Sequence, residues 1–336
     1  MKEQVKRHFK AALALLMAAI LLVACSSNSS APSSGAGGGG SAPGGQSASS
    51  ASGGQSGGTG PKTGGELVVA YFADISNYDP ILGSAGSDHV MLWPVYATLT
   101  TFTPELELQP GLAESWEIPD EKTIILHLRK NVTFHDGTPF NAEAVKFNIE
   151  RINSQESRIS DLRSIQSVDV VDEYTVRLNL SKPDSSILLA MSDRGGMMVS
   201  PTAVQQAGEN YPQHPVGAGP FKFVSRTPGD QIVLERYENY WEEGLPYLDR
   251  LVFKIMAEEN TRINALKSGE VDVAESITPA NVAPLKADNN LQLAQIIALP
   301  FRMLFVNAAL PPMDNKALWR AILHGVDREA IVNGVN

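Results

Sequence analysis

Three side chains within ten residues are the first candidates for chemistry: His127, His135 and Asp136. Imidazole and carboxylate ligate zinc and similar ions, but only when their spacing turns them toward one point. That spacing is absent. His127 falls in a run whose alternation predicts a strand, whereas His135 and Asp136 fall in the glycine- and proline-bearing H-D-G-T-P, which predicts a turn. Neither H-E-x-x-H nor C-x-x-C accompanies them, so hydrogen-bonded or solvated turn residues are expected, with no metal and no other cofactor. Gly54-Gln55-Ser56-Gly57-Gly58 fits G-x-S-x-G, yet no strand precedes it and no helix follows, as a nucleophile elbow requires. Gly60-Pro61-Lys62-Thr63 matches the end of a phosphate-binding loop, but Pro61 removes an N–H that such a cradle needs. Carboxylates are plentiful and scattered. No acid, base and nucleophile come together, and an enzyme is not expected.

The elements that hold these residues read clearly. Between Thr123 and Arg129 the apolar Ile124, Leu126 and Leu128 alternate with Thr123, Ile125, His127 and Arg129, the period of a half-buried strand. Val132 and Phe134 keep that alternation up to the turn. Asn141 then caps a helix, Glu143 places negative charge in its first turn, and Phe140 with Val145 forms a hydrophobic staple. Val145, Ile149 and Ile152 are its buried stripe. Further strands are predicted at 66–72, 168–171, 174–180, 231–236, 251–256 and 271–273, with the 168–171 and 174–180 pair joined through Asp172-Glu173. Residues 90–99 read as helical despite Pro94, with Trp93 a better core candidate than Tyr96. Thr261 to Ser268 reads as a helix closed by Gly269. Gly217 and Gly219 mark positive φ or close backbone approach.

The amino terminus has its own signature. Lys2, Lys6, Arg7 and Lys10 precede the apolar run Ala11–Ala24, whose 14 residues reach ~21 Å as a helix against a ~30 Å hydrocarbon core. A signal peptide at 1–24 is therefore expected rather than a spanning helix. The run ends in Leu22-Val23-Ala24-Cys25, the lipobox pattern of bacterial lipoproteins, and Cys25 is the one cysteine in the chain. It has no intramolecular disulfide partner, and lipidation of its thiol is expected. Residues 25–63, rich in Ser, Gly and Ala, have almost nothing to bury and read as a disordered tether with an r.m.s. span of roughly 35 Å. The chain of 336 residues carries a net charge of −10, which becomes −13 once residues 1–24 and their net three positive charges are removed. Nucleic acid is not an expected partner for so acidic a body.

Three blocks, in order, carry a resemblance: L-A-E-S-W at Leu112–Trp116, L-H-L-R-K at Leu126–Lys130 and F-H-D-G-T-P at Phe134–Pro139. With P-V-G-A-G-P-F-K-F-V at Pro215–Val224, Tyr240-Trp241, S-G-E-V-D-V at Ser268–Val273 and D-R-E-A from Asp327, they resemble the extracellular solute-binding proteins of ABC importers, family 5, the oligopeptide, dipeptide and nickel type. Ala218 and Phe221 depart from the threonine and tyrosine usual there, and Trp319 and His324-Gly325 from the usual residues of the preceding helix. The resemblance implies an α/β, periplasmic-binding-protein-like type II (cluster C) two-lobe fold, truncated within the third domain. Its implied division is domain I at 64–98 and 176–299, domain II at 99–175, and the start of domain III at 300–336. It further implies a monomer outside the cytoplasm, held to the bacterial membrane by lipid, that captures peptides or similar small solutes for permease subunits with associated ATPases. Tyr78, Tyr96, Phe301, Arg302 and Asn307, at strand ends or turns near domain crossings, are the candidate ligand-binding residues. A surface lipoprotein acting as a receptor or chaperone without a dedicated permease is the alternative.

Overall fold

The computed structural model describes residues 61–83, 85–295 and 306–335. The expected signal peptide, Cys25, most of the tether, Phe301 and Arg302 lie outside the described residues.

The strands are β1 (Glu66–Tyr71), β2 (Thr100–Phe102), β3 (Leu108–Pro110), β4 (Ala113–Asp120), β5 (Thr123–Leu128), β6 (Ile165–Asp172), β7 (Thr175–Leu180), β8 (Phe221–Thr227), β9 (Gln231–Arg236), β10 (Arg250–Ile255) and β11 (Val273–Ala274), of which β2, β3 and β4 were not expected from the sequence. They form a five-stranded sheet of order β11-β1-β10-β9-β8, a four-stranded sheet of order β4-β5-β7-β6 and the two-stranded β2-β3.

The four-stranded sheet is antiparallel throughout. Ile124, Leu126 and Leu128 of β5 are buried and their neighbours are not, as alternation requires. On that buried face lies the helix Ala142–Ile152, with Val145, Ile149 and Ile152 in the same core cluster as Phe134 and Phe140. Its cap is the expected one: Asn141 Oδ1 accepts from the Ala144 amide at 3.1 Å. Because β7 runs Thr175–Leu180 and is hydrogen-bonded between β5 and β6, this sheet extends beyond the division expected at residue 175.

In the five-stranded sheet β1 is parallel to both neighbours, β10 and β11, while β9 and β8 return antiparallel. Both faces of β1 are covered. Val69 and Tyr71 join the core with Met91, Leu92, Tyr96 and Tyr211, and Ala70 joins Ala265 and Val271 beneath the helix Glu259–Ser268. Burial on two faces is what a parallel strand demands, and E-L-V-V-A-Y supplies the nearly continuous apolar run.

Local expectations need correcting in three places. The helix read at 90–99 is a single turn, His89–Leu92, because Pro94 has no N–H to give and its ring obstructs the preceding turn. Trp93 is 41% exposed and Tyr96 only 1%, reversing their expected roles: Trp93 lies at the surface between His89 and Phe102, edge-on to both. The last strand forms at Val273–Ala274 rather than 271–273, since Asp272 uses its carboxylate to accept from the Val68 amide at 2.8 Å and Val271 packs into the core. Gly217 and Gly219 serve close approach: a Cβ on Gly217 would sit 2.1 Å from the Val95 carbonyl oxygen, and one on Gly219 would sit 2.6 Å from that of Pro94. Ala218 and Phe221 are buried, so the hydroxyls missing at these positions are replaced by core packing. Among the described residues no helix is long and apolar enough to cross a membrane.

Candidate ligand crevice

Parallel strands deliver their carboxyl ends to one edge. In an open α/β sheet the crevice outside those ends, where successive connections leave in opposite directions, is where ligands are held. Here the centre of that edge is β1, flanked by β10 on one side and β11 on the other. Three segments therefore converge: Tyr71-Phe72-Ala73-Asp74 after β1, Met256-Ala257 after β10, and Glu275-Ser276 after β11.

A buried arginine fixes two of these segments. Arg262, on the helix between β10 and β11, is 3% exposed. Its Nη1 donates to the carbonyls of Met256 at 2.7 Å and Ala257 at 2.8 Å, Nε to that of Glu275 at 3.0 Å, and Nη2 to that of Ser276 at 2.9 Å. The planar fork thus ties the end of β10 to the end of β11 through main-chain oxygens alone. Ser276, at φ +58°, lies in the left-handed region, a strained conformation for a non-glycine residue that the surrounding contacts hold.

The third segment is fixed by Asp74. Its carboxylate accepts from Arg226 Nε at 3.1 Å and Nη2 at 2.8 Å, and from the Gly229 amide at 2.9 Å, tying the end of β1 to the β8–β9 turn. Partial burial would raise the carboxyl pKa, but these donors outweigh it and hold Asp74 below the usual carboxylate range. At the end of β1 the buried Tyr71 donates to the Ser87 carbonyl at 3.2 Å. Burial, then the negative charges of Glu275 and Asp88, push its phenol up to about 12. Beside it Phe72 presents a ring that is 40% exposed.

Of the candidates from sequence, Tyr78, Tyr96 and Asn307 are among the described residues. Tyr78 and Tyr96 do meet, the Tyr96 hydroxyl donating to the Tyr78 carbonyl at 2.8 Å, but each is 1% exposed within the core. The Tyr96 hydroxyl also lies 3.1 Å from that of Tyr211, and the Tyr78 ring packs edge-on against Phe223. Asn307 is exposed, and its Oδ1 accepts from the Ala309 amide in a local turn. The residues set aside as turn or strand groups are likewise engaged. His127 Nε2 is 3.0 Å from Glu117 Oε1, His135 bridges Gly217 and Gly219, and Asp136 accepts from Thr138 and Ser200. Tyr71, Arg262 and Glu275 were missed by sequence reasoning. Tyr71 lies near the end of the strand predicted at 66–72 and Glu275 just beyond the one predicted at 271–273, so the carboxyl-end rule points to both once the strands are known to be parallel, whereas Arg262 sits within the predicted helix.

Residues 107–336 match the family described as bacterial extracellular solute-binding proteins, family 5 Middle. The chain belongs to this family, whose members are binding components of transporters and not enzymes. Among its relatives is the glutathione-binding protein GsiB of Pectobacterium atrosepticum, 29% identical over 271 residues that cover 80% of this chain and 53% of GsiB. Solved structures give the same picture. NikZ from Campylobacter jejuni in complex with Ni(L-His) superposes with a TM-score of 0.73 at 28% identity, over 80% of this chain and 55% of that one. The ABC transporter-associated periplasmic binding protein DppA from Helicobacter pylori, in complex with peptide STSA, gives 0.63 at 30% identity, over 68% and 50%. The chain spans about half the length of the curated relatives it matches. The type II periplasmic-binding-protein-like fold is thereby established.

Proposed function

We propose that the protein carrying this chain is the lipid-anchored, extracellular substrate-binding component of an ABC importer, which captures peptides or similar small solutes and delivers them to a membrane permease. The observation that carries this reading is the shared carboxyl edge of the parallel strands β1, β10 and β11, with a buried arginine tying the ends of β10 and β11 and an exposed aromatic ring beside it. Relatives in complex with a peptide and with Ni(L-His), and one described as glutathione-binding, support a small polar solute.

The mechanism needs no chemistry on the ligand. Solute held between this lobe and a facing one stabilises a closed state in proportion to its preference for that state, and the permease recognises closure. ATPase subunits elsewhere supply the energy. The L-V-A-C sequence supports thioether attachment of lipid at Cys25, and the protein acts as a monomer.

Thermal unfolding of the full-length protein, with and without a tripeptide library, tests the binding reading. Saturable stabilisation is the expected result, and a Tm that no peptide, glutathione or Ni(L-His) moves would overturn it. The anchor is tested separately by Cys25→Ala, which should abolish incorporation of labelled palmitate and release the protein from the membrane fraction.

A further inference from the structure

A second concavity lies where the two layers meet, and it shares no residue with the carboxyl edge. The helix Ala142–Ile152 and the short helix Pro201–Ala207 touch there, and between them and Thr138-Pro139 opens a cleft of about 390 Å³, within the size range of small-molecule sites. Its walls are fixed from behind. Asp136 accepts from Thr138 Oγ1 at 2.6 Å and from Ser200 Oγ, and Ser200 in turn accepts from the Ala203 amide at 3.1 Å, capping the short helix. Asn148, 3% exposed, donates to the Val199 carbonyl at 2.9 Å and accepts from the Val199 amide at 3.0 Å. Both helices are thereby held at a set separation before any ligand arrives.

The lining divides by chemistry. Pro139, Phe147 and Pro201 supply apolar surface, whereas Glu143, Thr202 and Gln205 supply polar groups. Among the described residues, none of those three side chains has a hydrogen-bond or ion-pair partner. All three can accept: Glu143 through two carboxylate oxygens, Gln205 through its amide oxygen and Thr202 through its hydroxyl. Glu143 is the one charged side chain of the lining, and its place in the first turn of the helix favours its negative charge. The basic residue one turn on, Lys146, is engaged elsewhere, its Nζ donating to Glu150 and to the Val168 carbonyl at 3.1 Å. An anion would be repelled from such a cleft, and a neutral apolar molecule would leave the acceptors unused.

We propose that this cleft is a second binding site, separate from the solute crevice, for a small organic cation with an amidinium or guanidinium head on a flat apolar body. The head pairs with the Glu143 carboxylate at two points, Gln205 and Thr202 accept from its remaining N–H groups, and the body lies against Phe147 and the two prolines.

Benzamidine is the probe, with benzamide as its neutral isostere and benzoate as its anionic one, each titrated into the full-length protein by calorimetry and followed in amide NMR spectra. Benzamidine should bind saturably and at least about tenfold more tightly than benzamide, the scale of a hydrogen bond to a charged group, and benzoate should not bind. The shifted amides should centre on residues 138–147 and 201–205. Glu143→Gln should remove the difference between benzamidine and benzamide while leaving the ligand-free Tm nearly unchanged, and Glu143→Asp, which retains the charge, should keep part of it. No benzamidine binding, equal affinity for benzamide, a preference that survives Glu143→Gln, or shifts centred on residues 71–74 and 256–276 would each overturn the proposal. Stabilisation by tripeptides should persist in Glu143→Gln, so the reading of the carboxyl-edge crevice stands or falls on its own.

Discussion

Arg151 and Asp79 form a two-point ion pair across the junction of the two sheets: Nη1 donates to Oδ1 at 2.9 Å, and Nη2 donates to Oδ2. Arg151 lies in the last turn of the helix on the four-stranded sheet, Asp79 on the loop after β1, and the Asp79 side chain is 2% exposed. The guanidinium also lies over the Tyr211 ring at 5.8 Å. Helix, loop and tyrosine core are thus held by one group.

Removing one partner strands the other in a poorly solvated site. Asp79→Ala should destabilise the fold by about 3–5 kcal/mol, read as a lower urea midpoint, whereas the double change to Asp79→Leu with Arg151→Met should recover most of the loss. Equal losses in the single and double variants would show that the pair is not the source.

His135 makes stability depend on pH. Its Nε2 donates to the Gly219 carbonyl at 2.9 Å and its Nδ1 accepts from the Gly217 amide at 3.3 Å, so the neutral ring is the one that fits. Burial, against a smaller opposing effect from the Gly219 carbonyl, pulls its pKa from 6.5 down to about 4. Between those values the unfolded chain binds the proton and the folded one does not. The contribution is therefore fully present above pH 6.5 and is lost as pH falls toward 4, with an upper limit of ~3 kcal/mol. Urea midpoints measured from pH 4 to 7.5 should fall more steeply in the native protein than in His135→Gln, which cannot titrate. Parallel profiles would exclude this origin.

Arg262 should matter to the crevice more than its distance from bulk solvent suggests. Arg262→Met leaves the carbonyls of Met256, Ala257, Glu275 and Ser276 without their donor, at a cost of at least ~2 kcal/mol. Hydrogen exchange should report where: the Glu275 amide, bonded to Ala70 in the native protein, should lose protection while amides of β5 keep theirs. Uniform loss across both sheets would indicate global destabilisation instead.

What could be read ahead of the structure was local. The strand Thr123–Leu128, its turn, the Asn141 cap and the stripe Val145, Ile149 and Ile152 were legible because one-sided burial repeats at a fixed interval along the chain. The roles of Trp93 and Tyr96 were not. The Tyr96 hydroxyl is tolerated in the core because Tyr211, 115 residues away, and the Tyr78 carbonyl take up its hydrogen-bonding capacity, and no local pattern reveals such a partner. The crevice was half legible. Its strands were expected, but whether Glu66–Tyr71 runs parallel to its neighbours, and so which ends converge, depends on pairings across most of the chain. Arg262 read as an ordinary helical arginine because its partners are main-chain oxygens, which any residue could provide.

That long-range pairing also orders assembly in time. The Gly65 amide donates to an Asp249 carboxylate oxygen 184 positions later, and β1 lies between strands made only after both strands of the β8–β9 hairpin. The β4–β7 layer, by contrast, is drawn from one continuous stretch and can close on itself while the ribosome is still at work. A chain emerging amino end first consequently carries its opening strand unmated until nearly everything described here has been synthesised, and the crevice is the last thing to take shape.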